Sequence, residues 1–270
     1  MRYAASWCMT SNFGDALTPW LLKRLGNGDA SWVSPGANFE HYLVTGSVLN
    51  WSSQHSVAWG PGLASWKDEV NPKADVRAFR GPLSLLRARS CGWKPGPHPF
   101  AIGDPALLLS KLLPPKDKTG ALGIFPHYVD MMRLSMIENE LREKGIVLID
   151  PLGTVEKVAE QVSGCSRIMS SSLHGLIVAD SYGVPSCWAK FGDSIGGDGM
   201  KFWDYLASVG RCTVEQPPEF LDLRNAGLDP ISAALALPAD RYSVVAPARL
   251  AAAQRSLFDT CPFIKIKVPA

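Results

Sequence analysis

The sequence predicts an α/β protein with two Rossmann-like parallel-sheet domains facing a cleft, and three observations carry that expectation. Short β-rich runs alternate with helical stretches along most of the chain, the pattern of parallel sheets joined by right-handed crossovers. Glycine-rich loops follow those runs, where parallel α/β folds gather their ligand groups. At 270 residues the chain exceeds the usual single-domain size, and a polar, proline-bearing stretch interrupts it near the middle.

Taken in order, the first half opens with a short strand before Ser11-Asn12-Phe13-Gly14-Asp15, which leads into a helix over residues 16–25. Residues 41–49 (HYLVTGSVL) and Ser56–Trp59 (SVAW) are β-rich and meet the glycine turns Gly46-Ser47-Val48 and Gly60-Pro61-Gly62. Arg77-Ala78-Phe79 precedes Arg80-Gly81-Pro82, and Pro82 suits the first turn of a helix over 83–90. Phe100-Ala101-Ile102 then runs into Gly103-Asp104-Pro105. Residues 111–120 (KLLPPKDKTG) read as the linker, which gives an N-terminal domain over 1–115 and a second over 120–245.

The second half repeats the rhythm. A strand over 122–125 precedes a helix over 130–144, with apolar residues at 131, 134, 137 and 141 and Gly145 as its stop. Strands over 146–149, 167–169 and 185–189 alternate with helices over 154–162, 174–182 and 201–209. In the final segment, 246–270, residues 247–258 (PARLAAAQRSLF) form a helix long enough to cross back over a domain boundary.

Composition narrows the function. A hydrophobic content of 46% with 19% charged residues describes a globular protein with apolar material for two cores. The net charge is only +2 and no Lys/Arg run forms a polyanion-binding stripe, which excludes nucleic-acid binding as the main activity. Six scattered cysteines without a CxxC pair read as reduced thiols, and with no ligand cluster visible no metal is expected. No signal-like apolar run opens the sequence and nothing in it reads as a membrane span, so the expected location is the cytoplasm. Nine tryptophans are unusual. Flat aromatic faces near loops suit sugar rings, and Trp51, Trp59 and Trp93 sit close to turn glycines, although packing is the simpler reading.

Several loops carry candidate chemistry. Asn12, Gly14 and Asp15 open a helix after the first strand, where Gly allows close backbone approach and the helix start offers N–H groups. Gly60 and Gly62 form a turn able to press on a ligand. Arg80, at a strand end, has the bidentate fork for a carboxylate or phosphate. Asp104, held extended by Pro105, could orient a hydroxyl or Arg80. The most informative stretch is Ser170-Ser171-Ser172-Leu173-His174-Gly175, where three hydroxyls end a buried strand and a histidine begins the next helix. An anion is favoured at such a helix start, and an imidazole there can exchange protons. His127 occupies the corresponding loop of the first strand of this half. Lys201 follows the glycine run Gly196-Gly197-Asp198-Gly199-Met200 and offers a counter-charge for phosphate.

These segments resemble, in order, the polysaccharide pyruvyl transferase family. The resemblance rests on Asn12-Phe13-Gly14-Asp15-Ala16-Leu17, Gly60-Pro61-Gly62, Arg80-Gly81-Pro82-Leu83-Ser84, Gly103-Asp104-Pro105-Ala106-Leu107-Leu108 and Ser171-Ser172-Leu173-His174-Gly175 with Gly183-Val184-Pro185. Certain members carry Arg in place of Ser172 and use it on the donor phosphate, so here that duty passes to Arg80, Lys201 or backbone N–H groups. The family implies a GT-B-like fold, phosphoenolpyruvate as a substrate rather than a cofactor, and a glycan acceptor. A lipid-linked acceptor would bring the protein to the inner face of the plasma membrane without an anchor of its own.

The residues then take expected roles. His174 is the principal acid/base, Arg80 binds a donor anion, and Asp15 acts with Asn12 on acceptor hydroxyls. Ser171, Ser172, Leu173, Gly175, Lys201 and His127 hold the donor, while Gly14, Gly60, Gly62 and Asp104 shape the cleft. Two rival expectations share the architecture. One is a GT-B-type glycosyltransferase using a nucleotide sugar; the other is a non-catalytic glycan-binding protein.

Overall fold

The computed structural model describes residues 1–10, 12–193, 195–224 and 236–264, so Ser11 lies outside the described residues. The chain forms two compact units, one of Met1–Leu108, Gly197–Pro218 and Ala248–Ala270, the other of Leu109–Gly196 and Glu219–Pro247.

The first unit begins with β1 (Arg2–Ala5), α1 (Phe13–Gly26), β2 (Asp29–Trp32), β3 (His41–Leu43), β4 (Ser56–Trp59), β5 (Asp75–Phe79), α2 (Pro82–Ser90) and β6 (Ala101–Ile102). Its six-stranded sheet runs β2-β1-β3-β4-β5-β6, with every pair parallel. Buried strand residues such as Leu43, Ala58, Val76 and Phe79 build one core with Leu83 of α2 and Trp93.

The second unit contains α3 (Leu109–Leu112), β7 (Leu122–Phe125), α4 (Tyr128–Ser135), α5 (Glu138–Glu143), β8 (Ile146–Leu148), α6 (Val155–Gly164), β9 (Arg167–Ser170), α7 (Leu173–Ser181), β10 (Ser186–Lys190) and β11 (Leu221–Asp222). Its sheet runs β11-β10-β9-β7-β8, again all parallel. Ile124, Leu148, Met169 and Ala189 from the sheet pack with Leu134 and Leu141 from the helices. Two further helices, α8 (Met200–Ser208) and α9 (Pro247–Thr260), fall essentially in segments of the first unit.

Counted from its own first strand, each sheet begins with the doubly wound order 2-1-3-4-5. The strand order therefore reverses between β1 and β3 in one unit and between β7 and β9 in the other. Parallel sheets of this kind bind ligands outside the carboxyl ends of the strands at that reversal. The loops after β1, β3, β7 and β9 are thus singled out by topology.

Some elements differ from the sequence reading. The helix expected over 130–144 is broken, because Ile137 (φ −111°, ψ 14°) steps out of helical geometry between α4 and α5. Its apolar face survives the break: Met131, Leu134, Ile137 and Leu141 pack against one core. The β-rich run 41–49 yields only the three residues of β3 before the turn at Gly46. The division between units falls at Leu108/Leu109 instead of residue 115, since Leu109 and Leu112 are buried apolar residues that open the second unit as α3. Residues 197–218, expected in the second domain, group with the first unit because α8 buries Asp204 against Arg80 and Ser84. Helix α9 also packs in the first unit, where Trp59 Nε1 donates to Leu257 O at 3.1 Å and Gln254 Nε2 to Leu107 O at 2.8 Å.

Candidate active site

In the second unit the structure gathers the residues that the serine-rich motif predicted. Strand β9 ends at Ser170, whose hydroxyl lies 2.8 Å from the carbonyls of Phe125 and Ser172 and accepts from Ser172 N–H at 3.1 Å. Ser171 Oγ donates to Asp130 Oδ2 at 2.6 Å and accepts from His127 N–H at 2.8 Å. That hydroxyl therefore ties the loop after β7 to the loop after β9, the two that flank the reversal point. Ser172 stands at the N-cap of α7 with extended backbone (φ −92°, ψ 131°), and its hydroxyl makes no capping bond. Leu173 and His174 form the first turn, with His174 only 9% exposed.

Gly175 explains why the motif ends in glycine. A Cβ there would come within 2.3 Å of Ser170 Oγ and 2.8 Å of Phe125 Cγ, so a side chain would push the helix start away from the sheet. His127 caps α4, its Nδ1 accepting from Val129 N–H at 3.4 Å. Burial raises the Asp130 carboxyl above the ordinary range, while the Ser171 hydroxyl and the Arg133 charge oppose that shift. The result is a helix N-terminus, favourable to an anion, bordered by hydroxyls and carrying an imidazole.

The first unit gathers a second group. Asn12 is the N-cap of α1, but its side chain donates to Asp15 Oδ2 at 3.4 Å instead of capping the helix. Asp15 also accepts from the Thr10 hydroxyl. Buried Gly14 accepts from Thr45 Oγ1 at 3.2 Å, which fastens α1 to the loop after β3. Lys201, in the first turn of α8, interacts electrostatically with Asp15 and Arg80. Burial and the Arg80 charge push its amine down to about 8, with Asp15 opposing. Burial raises Asp15, opposed by its hydrogen bonds and by Lys201. Burial thus moves the carboxyl up and the amine down, each towards its neutral form.

Arg80 corrects an expectation. Its side chain is wholly buried, with Nε 3.2 Å from Asp204 Oδ2, NH1 2.8 Å from Ser47 Oγ and NH2 2.6 Å from Leu63 O. The guanidinium therefore faces protein partners instead of presenting an anion clamp to solvent, and it holds together the loops after β3 and β4. Gly62 is required beside it, since a Cβ there would lie 2.3 Å from Arg80 Cζ. Gly60, buried at the end of β4, donates to Ala78 O at 2.8 Å. Asp104 is also fully buried: Oδ1 accepts from Ala106 N–H at 2.9 Å, and Oδ2 has no hydrogen-bond partner among the described residues. Burial pushes its carboxyl up to about 7 against the opposing charge of Arg80.

The predicted residues thus form two groups. His127, Ser171, Ser172, Leu173, His174 and Gly175 belong to the second unit; Asn12, Gly14, Asp15, Gly60, Gly62, Arg80, Asp104 and Lys201 belong to the first. Sequence reasoning missed Asp130 and Asp204. Each occupies a helix, where a carboxylate ordinarily reads as a solvated or dipole-pairing residue; only the tertiary fold reveals their burial. Among the described residues no group of three His, Cys, Asp or Glu side chains can hold a metal ion, and no helix is long and apolar enough to cross a membrane.

Two all-parallel units, each opening with the same strand order and carrying polar groups at its reversal, define a protein of the α/β class. Residues 62–189, a little under half of the chain, match the family model Polysaccharide pyruvyl transferase. The match contains Gly62, Arg80, Asp104, His127 and the whole Ser171–Gly175 motif. An uncharacterized protein of Acanthamoeba polyphaga mimivirus is 27% identical over 206 residues, covering 74% of this chain and 71% of its own. The succinoglycan biosynthesis protein ExoV of Rhizobium meliloti is 28% identical over 220 residues, covering 74% of this chain. The alignment spans 62% of ExoV, less than two thirds of its length. An uncharacterized Klebsiella pneumoniae protein of known structure aligns over 82% of this chain and 92% of its own, with a TM-score of 0.40 and 11% identity.

Proposed function

We propose that this protein transfers the pyruvyl group of phosphoenolpyruvate onto two hydroxyls of a glycan sugar, forming a pyruvate ketal and releasing phosphate during synthesis of a bacterial exopolysaccharide or other cell-surface polysaccharide. The observation that carries this reading is the family match across the Ser171–Gly175 motif, together with the geometry of that motif at a strand-order reversal. The kinship with ExoV, whose name assigns it to succinoglycan synthesis, supports a glycan as acceptor. A GT-B-like fold, implied by the family resemblance, is carried forward as part of the proposal. So is a cytoplasmic setting, at the inner membrane face where the acceptor is lipid-linked.

The chemistry asks for few groups. C3 of phosphoenolpyruvate takes a proton, C2 becomes electrophilic, and one sugar hydroxyl adds to it. A second hydroxyl then displaces phosphate from C2 and closes the ketal ring. Of the two hydroxyl protons released, one balances the proton gained at C3 and the other leaves with phosphate. His174 is the acid/base for these transfers, and the α7 N-terminus holds the phosphate. Asn12 and Asp15 orient acceptor hydroxyls, with Lys201 beside them as a cation for the anionic ligand. Arg80 supports the loops that carry this group, in keeping with its ion pair to Asp204.

Incubation with phosphoenolpyruvate and a glycan acceptor, following phosphate release and the product mass, tests the reading. His174→Ala should lower turnover by about 10²–10⁴-fold, the usual worth of general acid–base catalysis. Undiminished turnover in that variant would remove His174 from the mechanism. A wild-type protein that binds glycan but never releases phosphate would be a binding protein.

A further inference from the structure

We infer that Trp66 and Trp203 form a stacking subsite for one hexose ring of the acceptor glycan. The inference rests on the glycan reading above and adds to it the place where the sugar sits. Of the tryptophans near turn glycines, Trp59 and Trp93 are buried and Trp51 is partly buried against the core. Trp66 differs, being 40% exposed. Its ring centroid lies 6.2 Å from that of half-buried Trp203, with the planes at 79°. In such an edge-to-face pair the edge of one ring meets the face of the other, and Trp66 keeps part of its surface in solvent.

An exposed indole is unremarkable by itself. What distinguishes this one is how firmly it is held. Asp68 Oδ2 accepts from the N–H groups of Ala64 and Ser65 at 2.9 Å each. Asp198 Oδ2 accepts from Ser65 Oγ at 2.8 Å and from Trp66 N–H at 3.0 Å, while its Oδ1 accepts from Met200 N–H, at the start of α8, at 3.0 Å. Trp203 is fixed from its other end, its Nε1 donating to Thr213 O at 2.7 Å. Two carboxylates thus immobilise a loop that displays a large aromatic, and a pre-fixed ring loses little freedom when a ligand lands on it.

Position completes the argument. The Trp66 loop follows β4, on the carboxyl-end side of the sheet. Gly62 N–H donates to Gly46 O at 2.9 Å and Leu49 N–H to Gly62 O at 3.1 Å, which joins it to the loop after β3 at the reversal point. A pyranose matches this pattern, because its C–H face suits the indole.

The test uses the full chain with Trp66→Ala and Trp66→Phe, after thermal melts confirm that both fold. Oligomers of glucose, galactose, mannose and N-acetylglucosamine are titrated calorimetrically without phosphoenolpyruvate. The best-binding oligomer then serves as acceptor in the phosphate-release assay. Trp66→Ala should weaken oligomer binding and raise the acceptor KM by about tenfold, an aromatic contact's typical worth. Trp66→Phe should recover most of the loss, and the KM for phosphoenolpyruvate should stay put. Equal binding by wild-type and Trp66→Ala protein would overturn the subsite, as would failure of every oligomer to bind the wild type. The two ideas fail separately. Trp66-dependent glycan binding without phosphate release keeps the subsite and removes the transferase reading, whereas phosphate release with an unchanged acceptor KM does the reverse.

Discussion

Arg80 and its neighbours show how one buried charge organises a set of loops. Its guanidinium joins Asp204, Ser47 and the Leu63 carbonyl, and Asp204 in turn accepts from Ser84 N–H at 2.9 Å and Ser84 Oγ at 2.6 Å. Burial pushes a second carboxyl, Asp104, towards its neutral form, up to about 7 from 3.8, with the Arg80 charge opposing and Asp204 adding a smaller push upwards. The folded state therefore holds this proton more tightly than the unfolded state does. The stability that it contributes is complete below the unfolded value of 3.8 and is lost as pH rises through about 7. Asp104→Asn keeps the acceptor for Ala106 N–H but removes the titration. Urea denaturation across this range, followed by tryptophan fluorescence, should give a wild-type stability that falls more steeply with pH than that of Asp104→Asn. Parallel pH profiles would overturn the assignment. The sequence made Asp104 and Arg80 visible, because each follows a strand beside glycine and proline. It did not reveal that Arg80 looks inward, since a guanidinium at a strand end reads the same whether its partner is a ligand or Asp204.

At the scale of elements, legibility followed periodicity. Helices with a clear apolar stripe, such as α6, and strands buried on both faces, such as β4 and β7, were apparent from the sequence alone. Strand β2 was not, because the alternation in DASW is only four residues long and lies at a half-exposed sheet edge. The two-residue strand β11 is too short to register as a pattern. Helix α8 was recognised, but its place in the first unit was not. Its start is fixed by Asp198, whose carboxylate bonds Met200 N–H and also the Ser65–Trp66 loop, contacts remote in sequence. Those hydrogen bonds hold the Asp198 carboxyl below the ordinary range. Its contribution is thus present above the unfolded value of 3.8 and fades as pH falls through the lower folded one. Asp198→Ala should cost about 0.5–2 kcal/mol, the range for losing a helix-start acceptor, measured by denaturation at neutral pH. The deficit should shrink in strongly acidic solution, and a deficit that stays constant with pH would point to packing instead.

The whole molecule adds a constraint that no local pattern carries, because the first unit is assembled from three separated stretches of chain. Its sheet is complete by residue 102, yet α9, more than a hundred residues later, supplies part of its core. Leu257 is fully buried, and a Cβ at Gly103 would lie 3.2 Å from its Cδ1, so this leucine packs directly on the turn after β6. Contacts this distant in sequence are formed late and slow folding, because the loop they close is long. Among the described residues the second unit draws its core from α4, α5 and β7–β11. A core truncation in α9 should therefore act on one unit and spare the other. Leu257→Ala removes a buried leucine at a cost of about 2–5 kcal/mol. Hydrogen exchange should report faster amide exchange in β4, β5 and β6, with β7, β8 and β9 exchanging as in the wild type. Equal acceleration in both sheets would mean that the two units unfold as one cooperative body, and the separate stability of the units would have to be given up.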